Sequence, residues 1–414
     1  MSRYTLRCRS CGASGPADDR HTCAECLGPL EVVYDLGAIP HGRELRREIE
    51  SGPGNLWRYS PLLPVDRPDD PGTVGWTPLH RAERLGDELG LRSLYLKNDT
   101  VNPSLSFKDR VVAVAAQKAR EFGYRTIACA STGNLAGAVA AAAARLGLEA
   151  VVLMPADVEP TKLSAPLVYG ARVIAVDGTY DDVNRLCAQI ADERHWAFVN
   201  FTLRPYYVEG SKTLLFETAE QLGWTLPDAV VVPIASGALF VNTAKAATEL
   251  VATGLTPSKT VRFFGAQAAG CGPVAEAHRS GSETYTPVRT PETIAHSLAI
   301  GRPADGNRAL AVARESGGAI EAATDDEIRD AIRRLARTEG IFVEPAGGVT
   351  VAGLIRLAQA GAFRPDSTVV AYLTGNGYKV PDVAVPAGER TRIAPTLAAF
   401  EAAVPDVAPV LVEA

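Results

Sequence analysis

From residue 93 onward the apolar positions fall into short, almost unbroken runs, separated by stretches in which they recur every three or four residues. The runs at 93–97, 126–130, 150–154, 172–176, 196–200, 229–234, 262–266 and 368–373 predict strands buried on both faces. The intervening periodicity predicts helices at 82–89, 111–121, from the 131–134 turn to 146, 160–169, 180–193, 213–222, from 240, up to 278, 325–340 and 349–360. Residues between 278 and 304 read as one long irregular stretch. This β-α alternation predicts an α/β fold with mostly parallel sheets covered by helices on both faces, and it places ligands at the carboxyl ends of the strands.

The first 75 residues read differently. Two Cys-x-x-Cys pairs, Cys8/Cys11 and Cys23/Cys26, are followed by a stretch rich in Pro, Gly and charge with one helical segment near 44–49. Four thiols at this spacing predict a structural zinc ribbon with an all-cysteine ligand set, the alternative being a turn framework that no longer loads metal. A ribbon of this kind is expected to lie outside the βα body. Cys129, Cys187 and Cys271 stand singly among apolar or small residues, as core thiols do.

Composition narrows the classes. Hydrophobic residues at 46% and charged residues at 22% belong to a globular protein, and the net charge of -6 argues against a nucleic-acid partner. No apolar run is long enough to span a bilayer and no signal-peptide core follows Met1, so a cytoplasmic protein without a membrane partner is expected.

The chemistry centres on Asn102-Pro103-Ser104-Leu105-Ser106-Phe107-Lys108-Asp109-Arg110. Asn-Pro-Ser opens a helix, so Lys108 falls at a helix N-terminus, where the macrodipole opposes an ammonium. Such a lysine is suited to act as a neutral amine toward a carbonyl cofactor; the plain alternative is a solvated lysine beside an Asp109–Arg110 surface pair. Three polar turns follow predicted strands: Ser131-Thr132-Gly133-Asn134, Ala235-Ser236-Gly237-Ala238 and Thr374-Gly375-Asn376-Gly377. Each can offer backbone N–H groups to an anion, and with Lys108 they describe one pocket. His80 reads as a turn or surface residue.

Taken in order, Ser106-Phe107-Lys108-Asp109-Arg110, Ser131-Thr132-Gly133-Asn134, Glu209-Gly210-Ser211-Lys212-Thr213, Glu344-Pro345-Ala346 and Thr374-Gly375-Asn376-Gly377 resemble the marks of the threonine synthase family. These are fold type II pyridoxal-phosphate enzymes of the tryptophan synthase beta-like group, and some carry a Cys-rich leader. The resemblance implies two open twisted sheets and a lyase that converts O-phospho-L-homoserine and water to L-threonine and phosphate. It also implies that Lys108 carries pyridoxal 5′-phosphate and that Asn134 bonds the cofactor's 3′-oxygen. Ser131, Thr132 and Gly133 would take the substrate carboxylate. Ser236, Gly237, Ala238 and Leu239 would hold the cofactor phosphate through backbone N–H groups, and Thr374 would face the pyridine nitrogen. Ser106, Arg204 and Lys212 would serve the substrate phosphate, although both cations also read as surface charges near a turn.

The expected organisation is a ribbon at 1–33 with structural Zn2+, an arm at 34–75, a two-lobed catalytic body at 76–383 with its small lobe at about 125–215, and a C-terminal extension at 384–414. An amino-acid substrate and a homodimer are expected. Two other readings stay open: a paralogue doing β- or γ-replacement or elimination, such as a cysteate synthase-like enzyme, and a non-catalytic zinc-ribbon protein that only binds a ligand.

Overall fold

The computed structural model describes residues 3–131, 133–156, 160–178, 180–385 and 391–404. The ribbon is a small antiparallel sheet of β1 (Tyr4–Cys8), β2 (Ser14–Gly15) and β3 (Leu30–Tyr34), in the order β2-β1-β3. In β1 and β3 alternate residues are buried, so each strand has an inner face. That face does not close on itself. Leu6 and Val32 belong to the same hydrophobic core as Val112 and Val230 of the body. Tyr4 Oη donates to Pro64 O at 2.7 Å and accepts from Lys118 Nζ at 2.8 Å, while Tyr34 Oη donates to Glu209 Oε2 at 2.9 Å. The expectation of a ribbon outside the βα body is therefore corrected. A sheet this small buries its apolar face only against a larger neighbour.

The arm follows the same logic. Helix Gly42–Glu50 buries Leu45 and Ile49, and the 3-10 turns of Leu56–Leu62 bury Trp57 and Tyr59. Next come β4 (Leu79–Arg81), antiparallel, and β5 (Ser93–Asn98). The chain then builds a second sheet from β6 (Thr126–Ala130), β7 (Glu149–Pro155), β8 (Arg172–Val176) and β9 (Ala197–Phe198), all parallel, in the order β8-β7-β6-β9. It returns to the first sheet with β10 (Ala229–Pro233), β11 (Arg262–Ala268), β12 (Ile320–Ala323) and β13 (Thr368–Leu373). That sheet has the order β12-β11-β10-β13-β5-β4, parallel apart from β4. Every residue of β6 and β10 is buried, which is why their sequences are apolar without alternation.

Three elements depart from the sequence reading. β9 is only two residues long because it is an edge strand paired on one side to β6. β12, with its modest Ile-Glu-Ala-Ala sequence, pairs as an edge strand to β11 and was not anticipated. Neither was the preceding helix Gly306–Glu315, whose buried Ala309, Leu310 and Ala313 make a narrow apolar stripe behind a Gly-Asn-Arg start.

The register sets up the site. Leu373 at the end of β13 pairs with Asn98 at the end of β5, and on the other side β13 pairs with β10. The carboxyl ends of β5, β13 and β10 thus lie side by side, and the loops leaving them meet at one edge of the sheet.

Candidate active site

Lys108 is the first residue of helix Lys108–Glu121. The loop before it turns at Leu105, which has the left-handed φ of +62° and donates from N to Asn102 O at 2.7 Å. It is then pinned to the loop after β13: Phe107 N donates to Thr374 O at 2.9 Å and Asn376 N to Leu105 O at 3.1 Å. The helix itself is anchored by a closed group of buried charges. Arg110 bonds Asp99 Oδ2 at 2.7 Å and Glu217 Oε2 at 2.8 Å, and Lys97 Nζ lies 2.7 Å from Glu217 Oε2. Asp109 is also buried and accepts from Ser104 N at 2.7 Å, so the surface-pair alternative for Asp109 and Arg110 is excluded. Lys108 Nζ lies 3.5 Å from Tyr207 Oη.

Asn134 opens helix Asn134–Leu146 across the cleft. Its Nδ2 donates to Glu344 Oε1 and its Oδ1 accepts from Lys379 Nζ, both at 2.7 Å. Glu344 is buried at the N-terminus of helix Pro345–Gln359, and burial pushes its carboxyl up against the opposing pull of Lys379, Asn134 and Lys108. Burial likewise pulls the Lys379 ammonium down, opposed by Glu344 and Asp109. Gly375 is required here, because a Cβ at that position would lie 2.3 Å from Glu344 Oε1. Ser131 Oγ accepts from the N–H groups of Gly133 and Ala136, each at 3.2 Å, and so caps the Asn134 helix. Thr132 lies outside the described residues.

The loop after β10 borders the same edge. Ser236 accepts through its backbone O from Asp305 N at 2.8 Å. Gly237 has φ +89°, and a Cβ there would lie 2.9 Å from the Asp305 backbone, so both conformation and space demand glycine. Ala238 begins a 15-residue helix to Ala252, two residues earlier than the sequence suggested, with Leu239 in its first turn. The first N–H groups of such a helix have no intrahelical acceptor and can take an anion, Ala238 N meeting only Ser236 Oγ at 3.5 Å.

The residues expected to serve a substrate phosphate separate. Among the described residues Ser106 Oγ is buried without a hydrogen-bond partner, as is Ser104 Oγ. Arg204 begins the short helix Arg204–Tyr207, one turn from Tyr207, and its Nη2 lies 2.5 Å from Asp305 Oδ2. Lys212 is not brought to this cleft as a free cation. It is 0% exposed, and its Nζ is held by Glu209 and Glu249 at 2.7 Å each and by Leu62 O at 2.9 Å. The Glu209–Thr213 motif at this point is scaffold, since a lysine buried among two carboxylates and a carbonyl has no donor to spare.

The four ribbon cysteines converge. Their Sγ atoms all lie within 4.8 Å of one another. The two knuckles repeat one pattern: Cys8 N donates to Ala13 O and Cys23 N to Gly28 O, while Ser10 N reaches Cys8 Sγ at 3.3 Å and Glu25 N reaches Cys23 Sγ at 3.4 Å. Gly12 and Leu27, each four residues beyond its knuckle's first cysteine, share a left-handed φ. The backbone N–H of Cys11 leads the groups that pull the Cys8 thiol down to about 6. Cys129 and Cys187 are buried with their thiols pushed up by burial, Cys187 to about 11, as inert core thiols are. His80 is on edge strand β4, where Nε2 meets Glu339 Oε2 at 3.1 Å.

The structure sets a lysine at a helix start among strand-end loops, and the pattern of the family described as pyridoxal-phosphate dependent enzyme matches residues 71–375. The chain belongs to this family of pyridoxal-phosphate enzymes. More narrowly, it is 40% identical to threonine synthase of Methanosarcina acetivorans over 92% of this chain and 94% of that one. It is also 40% identical to threonine synthase of Methanocaldococcus jannaschii, over 92% and 95% of the two chains, which places it in the threonine synthase family. Its fold matches maize serine racemase with a TM-score of 0.63 at 21% identity, covering 81% of this chain and 93% of that chain. It also matches diaminopropionate ammonia lyase from Escherichia coli with a TM-score of 0.63 at 19% identity, covering 89% and 95%.

Sequence reasoning gave no site role to Tyr207, Glu344, Lys379, Asp305 or Arg9. Glu344 stands inside a quoted motif and Lys379 two residues beyond another, so the signal was close at hand without a partner to interpret it. Asp305 directly follows the stretch that read as irregular and carried no signal.

Proposed function

We propose that this chain is a threonine synthase, converting O-phospho-L-homoserine and water to L-threonine and phosphate. The observation that carries this is the meeting of the Lys108 helix start with the 102–107, 131–134, 344 and 374–379 segments through direct hydrogen bonds. Pyridoxal phosphate, when bound, supplies the electron sink that labilises bonds at the substrate's carbons. The residues present fit it: a lysine beside a tyrosine hydroxyl, a glycine turn leading into a long helix, and orphaned serine hydroxyls.

In this reading Lys108 would hold the cofactor, and its amine would move protons at the substrate's α and β carbons. Asn134, its amide aimed by Glu344 and Lys379, takes the 3′-oxygen. Thr374 faces the ring nitrogen with a neutral hydroxyl. Backbone N–H groups of Ser236 to Leu239 hold the cofactor phosphate, and Ser131, Gly133 and the intervening Thr132 hold the carboxylate. Ser106 Oγ and Arg204 remain for the leaving phosphate, whose developing charge needs fixed donors.

Cys8, Cys11, Cys23 and Cys26 are proposed to hold one structural Zn2+, with no position left open for chemistry. A homodimer and a cytoplasmic location accompany this reading as expectations. The test is release of inorganic phosphate from O-phosphohomoserine with formation of threonine. No release, together with turnover of O-phosphoserine or another activated amino acid, would transfer the assignment to a replacement enzyme.

A further inference from the structure

Asp305 is buried to 3% exposure, and its two oxygens are taken by two different arginines: Arg204 Nη2 at 2.5 Å and Arg9 Nη1 at 2.6 Å. Arg204 comes from the body. Arg9 comes from the ribbon, between Cys8 and Cys11, with its backbone N tied to Pro29 O at 3.0 Å. The same Asp305 backs the turn after β10, through its N–H to Ser236 O and its contact with Gly237. Arg204 in turn shares a helical turn with Tyr207, whose hydroxyl is next to Lys108 Nζ. A ribbon residue therefore reaches a carboxylate that borders the cleft.

The charges at this junction do not balance. Two guanidinium groups meet one carboxylate, leaving one positive charge in excess. Arg9 Nε is moreover buried with no hydrogen-bond partner among the described residues, so a donor is in place without an acceptor there. Where a cation keeps an unused buried donor beside a carboxylate that two guanidinium groups already share, a second anion with several acceptor oxygens satisfies both the donor and the excess charge.

We propose that Arg9 is a binding residue of the cleft: with Arg204 it holds a phosphate monoester, and the ribbon is the element that delivers it. This rests on the pyridoxal-phosphate and O-phosphohomoserine reading above. The ligand chemistry is a dianionic phosphate, whose source is either the substrate or the cofactor. The competing account is that Arg9 and Asp305 are only a latch between ribbon and body.

The two accounts predict different outcomes for Asp305→Asn. Holoenzymes carrying Arg9→Gln, Asp305→Asn and, as a control, Arg7→Gln are titrated with inorganic phosphate by calorimetry, and their loss of cofactor on dilution is followed. Arg7 pairs with Glu31 on the exposed side of the ribbon. With a substrate-phosphate role, Arg9→Gln weakens phosphate binding by roughly 10- to 150-fold, the loss of one charge-assisted hydrogen bond. Asp305→Asn removes the competing carboxylate, so it leaves phosphate binding unchanged or tighter, and Arg7→Gln changes nothing. With a cofactor-phosphate role, Arg9→Gln accelerates cofactor loss instead and Asp305→Asn does not. Arg9→Lys, which keeps the charge, restores part of either effect. The inference is overturned if Arg9→Gln changes neither quantity, or if Arg9→Gln and Asp305→Asn weaken both equally with a common fall in melting temperature, as a latch does. Phosphate titration needs no turnover, so an enzyme inactive on O-phosphohomoserine that still loses phosphate affinity in Arg9→Gln overturns the proposed reaction and leaves the role of Arg9 standing.

Discussion

Lys379 Nζ donates a 2.7 Å hydrogen bond to Oδ1 of Asn134, joining the loop after β13 to the first residue of a helix in the other lobe. The opposite end of the same amide donates to Glu344 Oε1 at 2.7 Å. An acceptor on one side and a donor on the other fix which way the amide points. The positioning of Asn134 is thus the work of two residues that carry no chemistry themselves.

Lys379→Met should release that amide. A lost charge-assisted hydrogen bond of about 1.5 to 3 kcal/mol lowers turnover roughly 10- to 150-fold. The readout that separates positioning from general damage is the cofactor's visible band, which should shift while melting temperature is retained. An unchanged band with unchanged turnover would leave Lys379 without this role.

Asp109 gives a pH dependence of stability. Burial pushes its carboxyl up to about 6, against the hydrogen bond from the Ser104 backbone N–H. A carboxyl raised above its unfolded value favours the protonated form in the folded state, so its contribution is complete below about pH 4 and is lost as pH rises through about 6. Asp109→Asn keeps an acceptor for Ser104 N and cannot titrate. Between pH 4 and 6 the wild type should therefore lose about 2 kcal/mol of stability relative to the variant, measured by denaturant unfolding at each pH. A constant difference across that range would contradict the burial argument.

The ribbon supplies a third test. Changing Cys11 and Cys26 to Ser should remove about one equivalent of metal per chain, since four ligands are needed for a closed zinc site. Because Leu6 and Val32 are part of the body's core, the change should also lower the melting temperature of the whole enzyme. Metal-free wild-type protein would sink the zinc assignment; an unaltered melting temperature would mean that the shared core contributes nothing.

The body's central strands were legible because parallel strands buried on both faces, such as β6 and β10, print themselves as apolar runs. Edge strands β9 and β12 were harder, since one-sided pairing asks little of their sequence. At the site, Lys108 and its turns were visible from local signals of helix start and glycine. Lys212 was misread for the converse reason. Its burial depends on Glu249 and Leu62, 37 and 150 residues away, and no local pattern carries that. Asp305 and Arg9 were silent likewise, because their meaning lies in a contact across 296 residues.

The central claim is that Lys108 carries the cofactor. Borohydride reduction of the holoenzyme, followed by peptide mapping, tests it most directly. Lys97 and Lys212 are fully buried in ion pairs, and Lys379 is committed to Asn134, so each of the three already has a partner. The account predicts loss of the visible band and reduced cofactor on the peptide containing Lys108; the label on Lys97, Lys212 or Lys379 would contradict it.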